Sequence, residues 1–339
     1  MKSIALFNNK GGVGKTTLAF NIAHMAARLG LRTVVLDYDP QCNVTSVFLD
    51  EDRLGEAWTA DPSEGRTVAA CIDLVRRGKG DVLRPSLEYI TENLWLLPGH
   101  LSLSRFEQTL ANEWSRTMAV DNERALDVVT ALATLAGLAT DKVDAHLAVI
   151  DVGPSLGALN RAALLACDGV IVPLAPDRFS LQGLENVGRT LSEWRDDWSF
   201  VRQRQRDESD RAALPSHEFT PIGYVIQQYL VRAGGVTGAY ARWMKQIPRV
   251  YHDVMGVPPR VVGDMEPSTD RECIHLLKHY ASLVPLAQAA RKPLFDLKAA
   301  DGISGSLYKT VAASAAEFEE IVRAIAVRVR LNSLPPRSS

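Results

Sequence analysis

The sequence is poor in cysteine and has no long apolar run. Four cysteines are spread over its 339 residues, and no two of them form a C-x-x-C pair. A disulfide framework, a structural zinc site and an iron–sulfur cluster are therefore not indicated. No apolar stretch approaches the roughly eighteen residues of a membrane-spanning helix, and the first residues lack a signal-peptide pattern. We therefore expect a soluble protein of a reducing compartment, the cytoplasm.

Neither sign of charge is in large excess. There are 38 Lys and Arg residues against 40 Asp and Glu residues, which gives a formal net charge of −2. This balance argues against a protein that coats nucleic acid or an anionic membrane through its bulk charge, but it leaves room for a local basic face. The hydrophobic fraction of 46% and the charged fraction of 23% are ordinary for a globular chain with a sizeable core.

Apolar runs rich in β-branched residues alternate with helical stretches along the chain. Continuous hydrophobicity of this kind suits strands buried on both faces, as in a parallel sheet covered by helices. The order of elements predicts an α/β fold of the doubly wound or P-loop NTPase type, with a mostly parallel twisted sheet flanked by helices on both faces. The predicted strands are 4–7, 33–36, 94–97, 147–150, 170–173 and 222–226.

We expect a single domain over residues 1–332. Three stretches interrupt the regular alternation and are expected to be insertions: 50–70, 101–145 and 195–218. The first is polar, the second is long and helical, and the third is dense in both signs of charge. Residues 333–339 are expected to form a disordered tail.

A glycine-rich loop, K-G-G-V-G-K-T-T, lies between the first predicted strand and the first helix. Its glycines allow successive backbone N–H groups to point at phosphate oxygens, and the helix N-terminus adds a favourable dipole. Lys15 would place a positive charge at the β- and γ-phosphates, and the Thr16 hydroxyl would ligate Mg²⁺. A turn that merely joins a strand to a helix would need neither a lysine nor two threonines. The predicted nucleotide-binding residues of the loop are Lys10, Gly11, Gly12, Val13, Gly14, Lys15, Thr16 and Thr17.

The loop departs from the general G-x-x-x-x-G-K-[ST] pattern at two positions. Asn9 takes the place of the first glycine, and Lys10 adds a second lysine inside the loop. This arrangement resembles the deviant Walker A loop of the ParA/MinD family of ATPases, and in particular its ParA-type partitioning branch. The resemblance implies that ATP and Mg²⁺ are bound, that ATP is hydrolysed, and that two ATP-bound subunits close into a sandwich homodimer. It also implies that Lys10 reaches the partner subunit's nucleotide, while Lys15 is the ordinary P-loop lysine.

The segment D-Y-D-P-Q at residues 37–41 resembles the family's D-x-D-P-Q motif. The resemblance implies that Asp39 orients the attacking water. Asp37 is either a structural cap of the turn or a direct participant, and the sequence leaves both open. Cys42 stands where a glycine is usual. The expected catalytic residues are Lys10, Lys15 and Asp39.

The apolar stretch 146–151 ends in Asp151, which is the Walker B pattern. Asp151 would hold Mg²⁺ through water, so Thr16 and Asp151 are the expected metal site. The G-P-S-L-G segment that follows resembles the family's D-x-P-P-S-L-G and departs from it at Val152 and Gly153. Gln227 falls where the family makes an adenine contact, and it completes the predicted nucleotide site.

A DNA-binding function would need a basic face, and residues 228–292 supply a local excess of positive charge. Nine Lys and Arg residues stand there against five Asp and Glu residues, a difference of +4. Tyr240, Trp243 and Tyr251 interleave with them. Such a patch would bind the phosphate backbone without sequence preference and with marked salt dependence, although a solvated helix face would have the same composition. The predicted DNA-contact residues are Arg242, Lys245, Arg249, Lys278, Arg291 and Lys292.

The resemblance also implies a ParB-like activating partner and association with the nucleoid. The alternative is a positioning or regulatory ATPase for a non-DNA cargo or a multiprotein system such as defence or secretion, because the stretches 101–145 and 195–218 would suit a dedicated partner surface. A membrane anchor is not expected. The amphipathic segment 317–331 begins with acidic residues and is the expected last helix of the fold, which favours packing in the core.

Overall fold

The computed structural model describes residues 1–119, 123–205, 214–216, 219–229, 238–280 and 282–334. Its strands are β1 (Lys2–Leu6), β2 (Thr33–Asp37), β3 (Glu88–Thr91), β4 (Leu94–Leu97), β5 (Leu147–Asp151), β6 (Gly169–Leu174), β7 (Thr220–Tyr229) and β8 (Cys273–Lys278). Its helices are α1 (Lys15–Arg28), α2 (Asn43–Phe48), α3 (Glu51–Thr59), α4 (Val68–Arg77), α5 (Ser104–Arg116), α6 (Glu123–Lys142), α7 (Ala158–Leu164), α8 (Arg178–Gln203), α9 (Gly238–Met255), α10 (Val284–Ala290) and α11 (Leu307–Arg328).

These strands form one sheet in the spatial order β3-β4-β2-β5-β1-β6-β7-β8. Neighbouring strands are parallel except β3 and β4, which are antiparallel. The central strands β2 and β5 are buried along their whole length, as expected where helices cover both faces. The predicted mostly parallel α/β fold is confirmed. Because β1, β2 and β5 are neighbours, the loops that follow them meet at one edge of the sheet.

Helices on the two faces of the sheet form two separate hydrophobic clusters. One cluster contains residues of the helices α4 through α9. The residues of α9 in it include Met244, Ile247 and Tyr251. The other joins α1, α2, α10 and α11, with Phe318 and Ile321 at its centre. Burial of these apolar side chains is the main favourable term for folding. The division also separates the surfaces that α9 and α10 present to solvent.

Two edge strands, β3 and β8, are not predicted from the sequence. In β3 the residues alternate between half-buried and exposed, and β8 has only two fully buried residues. Edge strands pack on fewer neighbours and carry polar side chains, so they lack the continuous hydrophobicity that marks a central strand. β7 is also longer than the predicted strand 222–226.

The stretch 101–145 contains α5 and α6, which bury Phe106, Leu110 and Leu132 in the core. The charged stretch 195–218 begins as the last turns of α8, and its residues 206–213 and 217–218 lie outside the described residues. Most of the predicted tail, residues 335–339, lies outside them as well.

No helix in the described part of the chain combines the length and the apolar character needed to cross a bilayer. The apolar face of α11, which contains most of the amphipathic segment 317–331, is buried against α1 and the sheet. Phe318, Ile321 and Val322 are each no more than 2% exposed.

Candidate nucleotide-binding site

The loop that follows β1 has the backbone of a phosphate-binding turn. Gly12 and Gly14 have φ angles of 72° and 78°, in the left-handed region where a residue with a side chain would be strained. A Cβ atom at Gly14 would also overlap the side chain of Gln227. α1 begins immediately after this turn, at Lys15, so its unpaired N–H groups face the same edge of the sheet.

Lys15 is folded into the loop and is only 8% exposed. Its Nζ donates hydrogen bonds to the carbonyl oxygens of Asn8 at 2.9 Å and Lys10 at 3.3 Å. Burial lowers the pKa of Lys15, while the nearby Asp151 and Asp39 act in the opposite direction. Among the described residues Lys15 forms hydrogen bonds only to carbonyl oxygens, and a polyphosphate would supply a direct ion-pair partner.

The Thr16 hydroxyl lies 3.2 Å from Asp151 Oδ2, to which it donates a hydrogen bond. The other oxygen, Asp151 Oδ1, is buried and has no hydrogen-bond partner among the described residues. Burial, followed by the charges of Asp37 and Asp39, raises the pKa of Asp151 well above its ordinary value. A divalent cation beside Asp151 would offset the negative charge of these buried carboxylates. A hydroxyl beside a carboxylate is the kind of oxygen donor set that Mg²⁺ prefers. The residues therefore fit Mg²⁺.

Asp37 lies at the end of β2, directly opposite Asp151 in the register of the sheet. It is fully buried and accepts hydrogen bonds from Thr45 N at 3.0 Å, Thr45 Oγ1 at 2.5 Å and Asp39 N at 3.1 Å. Burial raises the pKa of Asp37 to about 7, against the effect of these hydrogen bonds. Of the two roles left open, the geometry favours the structural one, because Asp37 ties the turn after β2 to α2.

Asp39 lies beside the loop that follows Asp151. Its Oδ1 accepts a hydrogen bond from Gln41 N at 2.9 Å, and the residue is 5% exposed. A Cβ atom at Gly153 would lie only 3.1 Å from the same oxygen. The absence of a side chain at Gly153 thus allows the two loops to approach closely. Cys42, a non-glycine residue with a φ of 56°, ends this turn and is buried.

Lys10 is held by the start of α8. Its Nζ lies 2.6 Å from Asp177 Oδ2 and 3.3 Å from Ser180 Oγ. Asp177 is the N-cap of α8 and accepts a hydrogen bond from Ser180 N at 2.8 Å through its other oxygen. The sequence motifs do not indicate this contact between Lys10 and Asp177. Aspartate directly before an apolar-periodic helix is an N-cap signal, which could have placed Asp177 at the start of α8.

Gln227 lies near the end of β7 and borders a cavity of about 310 Å³ beside the phosphate loop. Gly12, Gly14, Thr17, Tyr280 and Phe318 also line this cavity. Gln227 is 7% exposed, and its Nε2 has no hydrogen-bond partner among the described residues. An unpaired buried donor costs free energy unless a ligand accepts its hydrogen bond. The cavity is thus placed to receive the base of a nucleotide whose phosphates lie in the loop.

Comparison with known proteins agrees with this geometry. A family model described as an AAA domain matches residues 1–199, more than half of the chain. The sporulation initiation inhibitor protein Soj of Bacillus subtilis is 32% identical over 190 residues, which cover 56% of this chain and 64% of Soj. The chromosome-partitioning ATPase Soj of Thermus thermophilus is 31% identical over 201 residues, which cover 58% of this chain and 63% of that protein. The chain belongs to the ParA/MinD family of P-loop ATPases.

The matches to the curated ParA/MinD relatives span less than two thirds of their length. One solved structure matches the fold over nearly the whole chain. Protein DIP2308 from Corynebacterium diphtheriae superposes with a TM-score of 0.72 over 97% of this chain and 99% of its own, at 22% sequence identity. At that identity the likeness concerns the fold alone.

The basic residues predicted to contact DNA do not form one patch on this ParA/MinD chain. Arg242 and Arg249 are exposed on α9 and have no carboxylate partner among the described residues. Lys245, on the same helix, forms an ion pair with Glu266 at 2.8 Å. Tyr251, expected to interleave with the basic surface, is instead buried in the core, because its position faces the sheet. The side chain of Tyr240 lies outside the described residues.

The other three basic residues lie with the helices on the opposite face of the sheet. Lys278 pairs with Glu317 at 3.0 Å, and Lys292 pairs with Asp301 at 2.8 Å. Arg291 donates a hydrogen bond from Nε to the carbonyl oxygen of Leu49 at 3.0 Å. Nearness in sequence therefore did not indicate a shared surface, because the chain crosses from α9 to β8 and α10 between the two groups.

Proposed function

We propose that this chain is an ATP-dependent dimerising switch ATPase of the ParA type. In its ATP state it binds DNA nonspecifically, and with a ParB-like partner it drives DNA segregation. It works in the cytoplasm, in association with the nucleoid. The observation that carries the proposal is the meeting of Lys15, Thr16, Asp39 and Asp151 at one edge of the sheet, with Lys10 beside them.

In this proposal each residue has a separate task. The loop residues 10–17 hold the phosphates of ATP, and Gln227 contacts the adenine. Thr16 and Asp151 would hold Mg²⁺, which neutralises charge on the phosphates when it is bound. Lys15 places its buried positive charge at the transferred phosphoryl group, and Asp39 orients the attacking water. Phosphoryl transfer depends mainly on this kind of positioning and charge stabilisation.

Lys10 acts across the dimer. In the single chain its ammonium group is paired with Asp177, so the pair must open before Lys10 can reach the nucleotide of a second subunit. The ion pair is partly exposed, with 28% and 37% of the two side chains accessible, and pairs of this kind are worth only about 1 kcal/mol or less. Binding of a partner's triphosphate would repay that cost, because several phosphate oxygens replace one carboxylate.

Nucleotide binding and turnover of two variants test the catalytic part of the proposal. Lys15→Ala should abolish binding of a fluorescent ATP analogue, because the loop loses its only buried cation among the described residues. Asp39→Ala should bind the analogue normally and release no phosphate. Asp50→Ala, which removes an exposed helix cap in the neighbouring loop, serves as a control with turnover close to wild type. Full phosphate release by Asp39→Ala would contradict the assignment.

The second candidate is a positioning or regulatory ATPase whose cargo is not DNA. The pairing of Lys245, Lys278 and Lys292 with carboxylates favours it, because these lysines are already neutralised. Retention on a nonspecific DNA duplex separates the two candidates. A DNA-binding ParA-type switch should be retained only with ATP and should be released steeply as salt rises. Absence of retention at low salt with ATP would favour the non-DNA cargo.

A further inference from the structure

A carboxylate from α5 caps the start of α7. Glu107 accepts hydrogen bonds from Ala158 N at 2.7 Å and from Leu159 N at 2.9 Å, one with each of its oxygens. A Cβ atom at Gly157 would overlap this carboxylate, so a side chain there would displace Glu107 from its present position. Two charge-assisted hydrogen bonds at the positive end of a helix hold that end firmly.

The start of α7 in turn fixes the loop that follows Asp151. Within α7, Asn160 Nδ2 donates to the carbonyl oxygens of Gly153 and Ser155, both at 2.7 Å. Gly153 is the residue that lies against the Asp39 carboxylate. A continuous series of contacts therefore runs from Glu107 through α7 to the proposed catalytic aspartate.

α5 is well anchored, so Glu107 acts from a fixed support. Phe106 and Leu110, on the buried face of α5, are 0% exposed. Arg161 of α7 lies 3.8 Å above the centre of the Trp114 ring and forms an ion pair with Asp197 at 2.7 Å. The two helices are thus joined at both ends of α5, by Glu107 near its start and by Trp114 near its end.

We propose that Glu107 is a positioning residue for ATP hydrolysis, acting through α7 and Gly153 on Asp39. Glu107 lies on none of the elements that carry the proposed nucleotide and Mg²⁺ residues. The inference rests on the proposed role of Asp39. It would mean that the stretch 101–145, which contains Glu107, helps to position the catalytic aspartate, a role that the P-loop motifs do not indicate. Its expected signature is a loss of turnover without a loss of nucleotide affinity, since the phosphate loop and Gln227 lie on other elements.

The test uses the full chain with Glu107→Gln and Glu107→Ala. Glutamine keeps one oxygen acceptor and replaces the other by an N–H₂ group, so one of the two backbone N–H groups, of Ala158 or Leu159, loses its acceptor. We expect kcat to fall about tenfold in Glu107→Gln and further in Glu107→Ala, because small misplacements of a catalytic group cost rate steeply. KM and the Kd for a fluorescent ATP analogue should stay within twofold of wild type. Glu113→Gln, on the same helix but paired with Arg116, should leave both constants unchanged.

The possible results distinguish a failure of the role of Glu107 from a failure of the proposed ATPase function. A kcat equal to that of the wild type in both Glu107 variants would overturn the positioning role. So would a parallel loss of kcat and ATP affinity, which would mean that Glu107 merely supports the fold. If the wild-type chain itself released no phosphate from ATP, the proposed function would fail, and the role of Glu107 with it.

Discussion

Lys10 Nζ lies 2.6 Å from Asp177 Oδ2, within the single chain. The lysine that distinguishes this loop from an ordinary P-loop is therefore neutralised by its own subunit. Asp177 is also the N-cap of α8, so its position is fixed by the helix that it starts. The pair would oppose the proposed contact between Lys10 and a second subunit's nucleotide, and it would add a free-energy cost to the proposed dimerisation.

Asp177→Asn should strengthen ATP-dependent dimerisation. Asparagine caps a helix as well as aspartate does, so α8 should be unaffected, but the charge that holds Lys10 is removed. Two partly exposed pairs are released per dimer, at up to about 1 kcal/mol each. We expect the dimer Kd to fall about tenfold in the presence of ATP, measured by sedimentation equilibrium.

The matched control is Asp296→Asn, which removes an exposed ion pair with Arg28 at 3.0 Å, away from the loop. It should leave the dimer Kd unchanged. A weaker dimer in Asp177→Asn would contradict the account, because it would mean that Asp177 contributes to the dimer rather than restraining Lys10.

Gln227→Met, which removes the amide without adding a charge, should weaken ATP binding through the base alone. The change removes the buried Nε2 donor, and the resulting cost of about 1–2 kcal/mol corresponds to roughly a tenfold rise in Kd. Inorganic triphosphate, which has no base, should compete for the site equally well in wild type and variant. Gln203→Met, on the exposed end of α8, is the control. A similar loss of affinity for ATP and for triphosphate would place Gln227 at the phosphates instead.

DNA retention should depend on α9 and not on the basic residues beside α10. In the presence of ATP, the double variant Arg242→Ala and Arg249→Ala should bind DNA more weakly, and its log Kd should depend less steeply on log salt. The slope should fall by roughly 2 to 4 for a dimer, since each phosphate contact contributes about 0.9. The double variant Arg291→Ala and Lys292→Ala should behave as wild type. Equal losses in both would show that the faces are not separated in DNA binding.

A buried histidine–aspartate pair links α9 to β7 through Tyr224. His252 Nε2 lies 3.0 Å from Asp270 Oδ1, and Asp270 Oδ2 accepts a hydrogen bond from the Tyr224 hydroxyl at 2.7 Å. The other ring nitrogen of His252 lies 2.8 Å from the carbonyl oxygen of Val257. Burial opposes the charged ring, but the Asp270 carboxylate and the Val257 carbonyl outweigh it, so the pKa of His252 is raised.

The stability that His252 contributes should therefore decrease as pH rises. It is fully present below the ordinary histidine pKa of 6.5 and is lost as the pH passes the raised value of the folded state. His252→Gln should lower the free energy of unfolding by about 3 kcal/mol at pH 6 and by less at pH 9, measured by urea denaturation.

His24 provides the opposite case, because burial lowers its pKa to about 4. The folded chain then disfavours protonation, and His24 reduces stability as the pH falls from 6.5 towards 4. The cost of His24→Gln should accordingly be smaller at pH 5 than at pH 8. The same pH trend in both variants would contradict the assigned charge states.

The sequence predicts the parts of this molecule that local chemistry determines. The central strands are continuous apolar runs, and the loop residues from Lys10 to Thr17 carry their conformation in their glycines. The contact between Lys10 and Asp177 is different, since it joins residues far apart in the chain, and only the pairing of β1 with β6 brings them together. β3 and β8 escape prediction because edge strands are only partly buried.

The basic residues show most clearly what composition cannot predict. Arg249 and Lys292 stand in one basic stretch of sequence, yet they lie with helices on opposite faces of the sheet. Composition gives a charge excess but not the face on which each side chain lies. The burial of Tyr251 against Tyr224 of β7 and the pairing of Lys245 with Glu266 likewise depend on how the elements pack, which composition does not give.

We propose that ATP, and not ADP, brings two chains together. The most direct measurement is sedimentation velocity of Asp39→Ala, in which ATP should remain intact, with MgATP, with MgADP and without nucleotide. We predict a dimer of about twice the 37.1 kDa chain mass with MgATP and a monomer in the other two conditions, and loss of the dimer when Lys10→Ala is added. A chain that stays monomeric with saturating MgATP, or that dimerises equally with MgADP, would contradict the account.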